Sequence, residues 1–77
     1  MDPRRLKAFL VLAEEKSFHK AAERLYLSQP ALTQRIQALE RELGVRLLER
    51  RPFRLTPAGD LLLREGARLL KELEALK

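Results

Sequence analysis

The chain of 77 residues has no cysteine, no tryptophan, a single histidine and only three glycines. Without cysteine, neither a disulfide nor a thiolate metal site can brace the fold, and a reducing compartment is the simplest setting. With His19 as its one imidazole, the chain supports neither a histidine-based metal centre nor a serine triad, and no cofactor motif is present. Ser17-Phe18-His19-Lys20 does spell S-x-x-K, but the companion motifs of that hydrolase class are missing and the tetrapeptide reads as a helix start. No catalytic residue is assigned, and an enzyme is not expected. Long apolar runs are missing too: Leu61-Leu62-Leu63 is broken at once by Arg64 and Glu65, and no N-terminal stretch has the order of a signal peptide. The chain reads as neither secreted nor membrane-spanning. A domain this small buries only about 60% of the surface its unfolded chain exposes, so its stability is marginal. With disulfides and metals set aside, association between subunits is the remaining source of support.

What is present begins with charge. The net charge is +5, and all of the excess lies early: residues 1–56 hold twelve Lys and Arg against seven Asp and Glu, whereas residues 57–77 hold four of each. An acidic partner such as nucleic acid is favoured on that ground. A basic amphipathic helix on a membrane surface is not, because the last segment is neutral.

Helix signals divide the chain into four helices and one basic interruption. Asp2 as N-cap and Pro3 at the first helical position open a helix to about Lys16, with Leu6, Phe9, Leu10 and Ala13 on one stripe. Ser17 caps a short second helix that carries Ala21, Ala22 and Leu25. Ser28 caps a third through the N–H of Ala31, because Pro30 has no N–H to offer and is tolerated only in a first turn. Leu32, Ile36, Leu39 and Leu43 form the buried side of this helix, and Gly44 ends it. From Val45 to Thr56 the chain holds four arginines against one glutamate, with Pro52 in the middle and Phe53 alternating with Leu55. That segment reads as a short basic hairpin or wing. Thr56-Pro57 then opens a helix expected to continue to Lys77. Its Leu62, Leu69, Leu73 and Leu76 make a seam, flanked by Leu63 and Leu70, that exceeds the needs of a thin core. The end around Leu61 and Leu62 is expected to pack back on the first three helices, and the outer half to pair with a second copy of the chain. With no cap at its end, this helix reads as the front part of something longer.

Two short helices meeting at Leu27-Ser28 make a helix-turn-helix, whose second helix enters the DNA major groove. At about 100° per residue, the buried set leaves Pro30, Gln34, Gln37 and Arg41 outward, with Gln29 and Thr33 beside them. Residues of the first turns reach deepest, so Gln29, Pro30, Thr33 and Gln34 are the candidate base contacts, with Gln37 behind them. Gln pairs bidentately with adenine, and the Pro ring and Thr methyl pack on thymine methyls, which leans the site towards A·T pairs. Candidate phosphate contacts are Ser17, His19 and Lys20 at the start of the second helix, Ser28 at the start of the third, and Arg50, Arg51 and Arg54 in the wing. Arg50 has an equal alternative, an ion pair with a carboxylate of the third helix such as Glu40. Arg4, Arg5 and Arg35 read as solvated surface.

Taken together, Leu6, Phe9, Ala21-Ala22, Leu25, Ser28-Gln29-Pro30-Ala31-Leu32, Ile36, Leu39-Glu40, Leu43-Gly44, Leu47, Arg50, Leu55-Thr56 and Ala58-Gly59 closely resemble the N-terminal DNA-binding domain of LysR-type transcriptional regulators of bacteria. The resemblance implies a mainly α winged helix-turn-helix over residues 1–56 and a linker or dimerisation helix over residues 57–77. That helix would pair antiparallel with its twin, giving a homodimer on an interrupted inverted repeat of double-stranded DNA, in the cytoplasm at the nucleoid. It also implies an effector-binding domain beyond the linker helix, so no small-molecule effector site is expected in these residues. The chain departs from the family at four places. Lys16 stands where Gly is usual, which predicts a tighter corner or a longer first helix. Leu48 replaces a Phe, with Phe53 available to fill that space. Four residues separate Arg50 from Leu55, fewer than the family usually has. Thr33-Gln34 replaces the commoner Ser-Arg, exchanging a guanine-preferring cation for an amide. The rival reading is a dimerisation or protein-interaction module derived from such a regulator, with weak or lost DNA binding. The amides from Gln29 to Gln37 and the four arginines around the wing argue against it.

Overall fold

The computed structural model describes residues 1–76. Its elements are α1 (Pro3–Glu15), α2 (Phe18–Leu25), α3 (Gln29–Leu43), β1 (Leu48–Arg50), β2 (Phe53–Leu55) and α4 (Pro57–Ala75). This mainly helical chain with a two-stranded antiparallel hairpin is a winged helix-turn-helix.

Four helix starts follow from local chemistry. Asp2, Ser17, Ser28 and Thr56 each accept an orphan backbone N–H, from Arg4, Lys20, Ala31 and Gly59 respectively. Pro3, Pro30 and Pro57 sit in first turns, where a missing N–H costs nothing. The Arg4 guanidinium and backbone N–H also hold the Asp2 carboxyl below its ordinary pKa, favouring the charged cap.

The helix ends are less regular. Helix α1 stops at Glu15, one residue short of expectation, because Lys16 turns into the left-handed region at φ +56° and donates its N–H to Leu12 O at 2.8 Å. The corner is thus turned as a glycine would turn it, by a residue that pays for the conformation in Cβ crowding. Tyr26 does the same after α2 at φ +56°, with Leu27 N–H reaching back to Ala22 O at 2.9 Å. Gly44 ends α3 at φ +73°, as expected.

Helix α1 is the centre of the molecule. Leu6, Ala8, Phe9, Val11, Leu12 and Ala13 are all buried, a wider set than one stripe, because α2, α3 and α4 all pack against α1. Leu32, Ile36 and Leu39 of α3 complete the core with Ala21, Ala22, Leu47 and Leu48. Leu43, expected on the buried side, is exposed at 36%. It stands in the last turn of α3 and borders an open apolar groove with Val45, Leu61 and Leu62.

The hairpin pairs Leu48 with Leu55, Glu49 with Arg54 and Arg50 with Phe53, and a cis Arg51–Pro52 peptide lies in its turn. Its base is fastened on both sides. The Glu40 carboxylate accepts Leu47 N–H at 2.7 Å, and Leu47 O accepts Thr56 N–H at 3.0 Å. A Cβ on Gly59 would collide with that same Leu47 carbonyl, so α4 approaches the wing this closely only with glycine there. Further along α4, Gly66 lies against the Leu10 side chain, where an added Cβ would come within 2.5 Å of Leu10 Cδ2.

Helix α4 ends at Ala75 with Leu76 as its C-cap. The expected continuation to Lys77 lies outside the described residues. Leu62 and Leu63 pack on the core, whereas Leu61 is 54% exposed and so does not join it as expected. Leu69, Leu70 and Leu73 are half-buried, and Leu76 is exposed.

Candidate nucleic-acid interface

The start of α2, the outer face of α3 and the wing converge on one side of the molecule. Two contacts tie them together. The Arg50 guanidinium lies over the Phe18 ring, 3.9 Å from its centroid, and its Nη1 donates to Thr33 Oγ1 at 3.4 Å. His19 Nδ1 and Gln29 Nε2 stand 3.4 Å apart, joining the first turns of α2 and α3. Residues singled out in three separate segments are therefore neighbours.

Why Arg50 points inward follows from strand period. In β1, Leu48 and Arg50 share a face, and Leu48 is buried, so Arg50 is carried to the same side. Its cross-strand partner Phe53 packs edge-on against Phe18, with ring centroids 6.4 Å apart at 71°. The Phe18 ring thus meets Phe53 at its edge and a cation on its face. The expected alternative for Arg50, an ion pair with Glu40, does not form. Glu40 is already taken by the Leu47 N–H, and its nearest cation is Arg46, whose Nε lies 3.8 Å from it. Arg54 points the other way, opposite Glu49, and Arg51 is exposed at the turn. Phe53 does pack against the core, beside a buried Leu48.

On α3, Gln29, Pro30, Gln34 and Gln37 are exposed and Thr33 is half-buried, drawn towards the wing by Arg50. The Gln34 and Gln37 amides make no hydrogen bond to another side chain among the described residues, while that of Gln29 meets His19. Ser17 and Ser28 each spend one lone pair on a cap, at 3.1 and 3.2 Å, which leaves the O–H of each able to donate to an anion. His19 also has Glu23 within 3.6 Å through Nε2.

Ion pairing is uneven among the basic side chains. Among the described residues, Lys20, Arg50, Arg51 and Arg54 form no ion pair, whereas Arg24 is bound by Glu14 and Glu15, Arg64 by Asp60, and Arg68 by Glu65 and Glu72. Hydrogen bonds donated to Glu15 and Glu14 raise the Arg24 pKa further, and those donated to Glu65 and Glu72 do so for Arg68. Those cations are committed; the ones on the α3 side are available to an external anion. Sequence reasoning missed two contributors, Glu40 as anchor of the wing and Phe18 as the platform for Arg50. Neither carries a local signal, since each acts on a residue of another element.

The members of the seam on α4 are not equivalent. Leu62 packs on the core of its own chain, Leu69 and Leu73 are half-buried, and Leu76 is 83% exposed. No helix among the described residues is long and apolar enough to cross a membrane.

Comparison with known proteins agrees with this geometry. Residues 3–60 match the model of the bacterial regulatory helix-turn-helix protein, lysR family. The chain is 51% identical over 76 residues to an uncharacterized HTH-type transcriptional regulator in the ibpB-leuC intergenic region of Azotobacter vinelandii, covering 96% of this chain and 53% of that protein. It is 42% identical to the HTH-type transcriptional regulator BenM of Acinetobacter baylyi, covering 99% of this chain and 26% of BenM. The chain thus spans about half of the first relative and a quarter of the second. Among solved structures, the BenM_DBD/catB site 1 DNA complex superposes with a TM-score of 0.87 at 42% identity, over 99% of this chain and 88% of that one. Vibrio fischeri DarR in complex with DNA gives 0.89 at 39% identity, over 97% of this chain and 26% of DarR. With more than half of its residues inside the family model and a fold that superposes over nearly its whole length, the chain belongs to the lysR family of bacterial regulatory helix-turn-helix proteins.

Proposed function

We propose that this chain is the DNA-binding part of a bacterial cytoplasmic transcriptional regulator, with no enzymatic role. It takes double-stranded DNA with α3 in the major groove and the wing on the backbone or minor groove. Gln29, Pro30, Thr33, Gln34 and Gln37 meet base edges, while Ser17, His19, Lys20, Ser28, Arg50, Arg51 and Arg54 meet phosphates. Residues 1–56 form the reading unit. Residues 57–77 pair with a second copy through Leu69, Leu73 and Leu76, with Leu62 at the edge of that contact, so that two reading helices meet an interrupted inverted repeat leaning to A·T.

The observation that carries this reading is the Arg50 guanidinium, held against Phe18 while it reaches Thr33. It joins α2, α3 and wing into one surface on which Lys20, Arg51 and Arg54 form no ion pair among the described residues. The DNA complexes of BenM_DBD and DarR, which superpose on this fold, support the same occupant. Selection of bound duplexes from a random pool, followed by titration at two salt concentrations, tests it. The expected result is an A·T-containing inverted repeat bound with affinity that falls steeply with salt. Absence of any enriched sequence, with a flat salt response, refutes it.

A further inference from the structure

The flank of α3 that faces away from the wing carries cations of its own. At about 100° per residue, Thr33 projects towards the wing and Arg35 towards α1, with Gln34 between them. Along that second flank Gln34, Arg35 and Arg41 border an open groove of about 550 Å³, floored by Ala31 and Ala38 and walled by Arg5 of α1. Among the described residues, Arg35 and Arg41 form no ion pair. The nearby acid on this flank, Glu42, is already engaged by the Met1 ammonium at 3.5 Å and by Arg5 at 3.9 Å.

We infer that this groove is a second phosphate track, in which Arg35 and Arg41 grip the DNA strand opposite the one held by the wing. The inference rests on the reading of α3 as the major-groove helix. A helix with its side chains is about 10–12 Å across and the major groove about 12 Å wide, so both backbones run close along the helix once it is seated. Cations on one flank alone would serve only one strand. The two alanines leave room for a sugar-phosphate chain to come near the helix, and the groove is continuous with the reading face through Gln34. Sequence reading alone places Arg35 on solvated surface; its place in this groove, beside a Glu42 already engaged by Met1 and Arg5, reassigns it.

The test is the salt dependence of duplex binding by the full chain, comparing the parent with Arg35→Gln/Arg41→Gln, Arg35→Lys/Arg41→Lys and, as a control on α4, Arg64→Gln. Each lost phosphate contact removes about 0.9 from the slope of log K against log salt. The double Gln variant is expected to be shallower than the parent by about 2 and to weaken target and random duplexes by the same factor. The Lys variant retains the slope, and Arg64→Gln matches the parent. Circular dichroism checks that helix content is unchanged. A steep parent with an equally steep Gln variant overturns this inference alone and leaves the flank to a protein partner. A parent with no salt-dependent binding overturns the major-groove reading itself.

Discussion

The Arg50 guanidinium and the Phe18 ring, 3.9 Å apart, join the wing to the start of α2, and through Arg50 Nη1 to Thr33 of α3. An arginine that would otherwise sweep freely is held between the Phe18 ring and Thr33. A platform of this kind lowers the entropy lost when the side chain is ordered on a ligand.

Phe18→Leu removes the platform while keeping an apolar side chain at the start of α2. Duplex affinity is expected to fall by about 0.5–1 kcal/mol, the usual worth of an exposed cation–π contact, with helix content retained. Fluorescence titration of the variant beside the parent measures it. Equal affinity shows that Arg50 does not depend on the ring.

Gln29 and Arg51 should separate base reading from backbone binding. Gln29→Ala is expected to weaken the preferred duplex by about 1–3 kcal/mol and leave random DNA nearly unchanged. Arg51→Ala weakens both and makes the salt slope shallower. Competition between the two duplexes distinguishes these outcomes, and equal losses for Gln29→Ala on both count against base readout.

Pairing of subunits through α4 is checked at Leu69, which is half-buried in the single chain. Leu69→Glu places a charge in the seam and is expected to shift the sedimentation equilibrium from dimer to monomer. If variant and parent sediment alike, the seam is not a contact between subunits.

The two glycines of α4 make a graded prediction. Gly59→Ala drives a methyl into the Leu47 carbonyl, which the hairpin and Thr56 hold in place, so the chain is expected to lose about 1–3 kcal/mol or more of stability. Gly66→Ala meets only the end of the Leu10 side chain, which can swing aside, and costs less. Combining Gly66→Ala with Leu10→Ala should prove non-additive, each relieving part of the other's cost. Urea unfolding of the five chains, the Leu10→Ala single variant included, gives the ranking; a Gly59→Ala chain as stable as the parent contradicts it.

Helix starts and the outward face of α3 were legible in the residues because both depend on near neighbours. Asp2, Ser17, Ser28 and Thr56 cap N–H groups two or three positions ahead, and the outward set on α3 follows from helical period once Leu32, Ile36 and Leu39 are recognised as core. The same local rules misjudged Leu43 and the end of α1. Period says which face is apolar but not how far the neighbouring helix extends to cover it, and Lys16 gives no local sign that it will adopt a glycine-like φ.

Near-neighbour chemistry thus accounts for the four helices, the basic hairpin and the identity of the side chains exposed on α3. Packing decided the rest: Glu40 holding the Leu47 amide instead of Arg50, Phe18 beneath Arg50, glycines beneath Leu47 and against Leu10, and an α3 flank whose Glu42 is taken up by Met1 and Arg5. Those relationships join residues of different elements, and their geometry depends on the angles at which the helices settle. Those angles are set jointly by the close-packed core around α1, so no single stretch of sequence contains them.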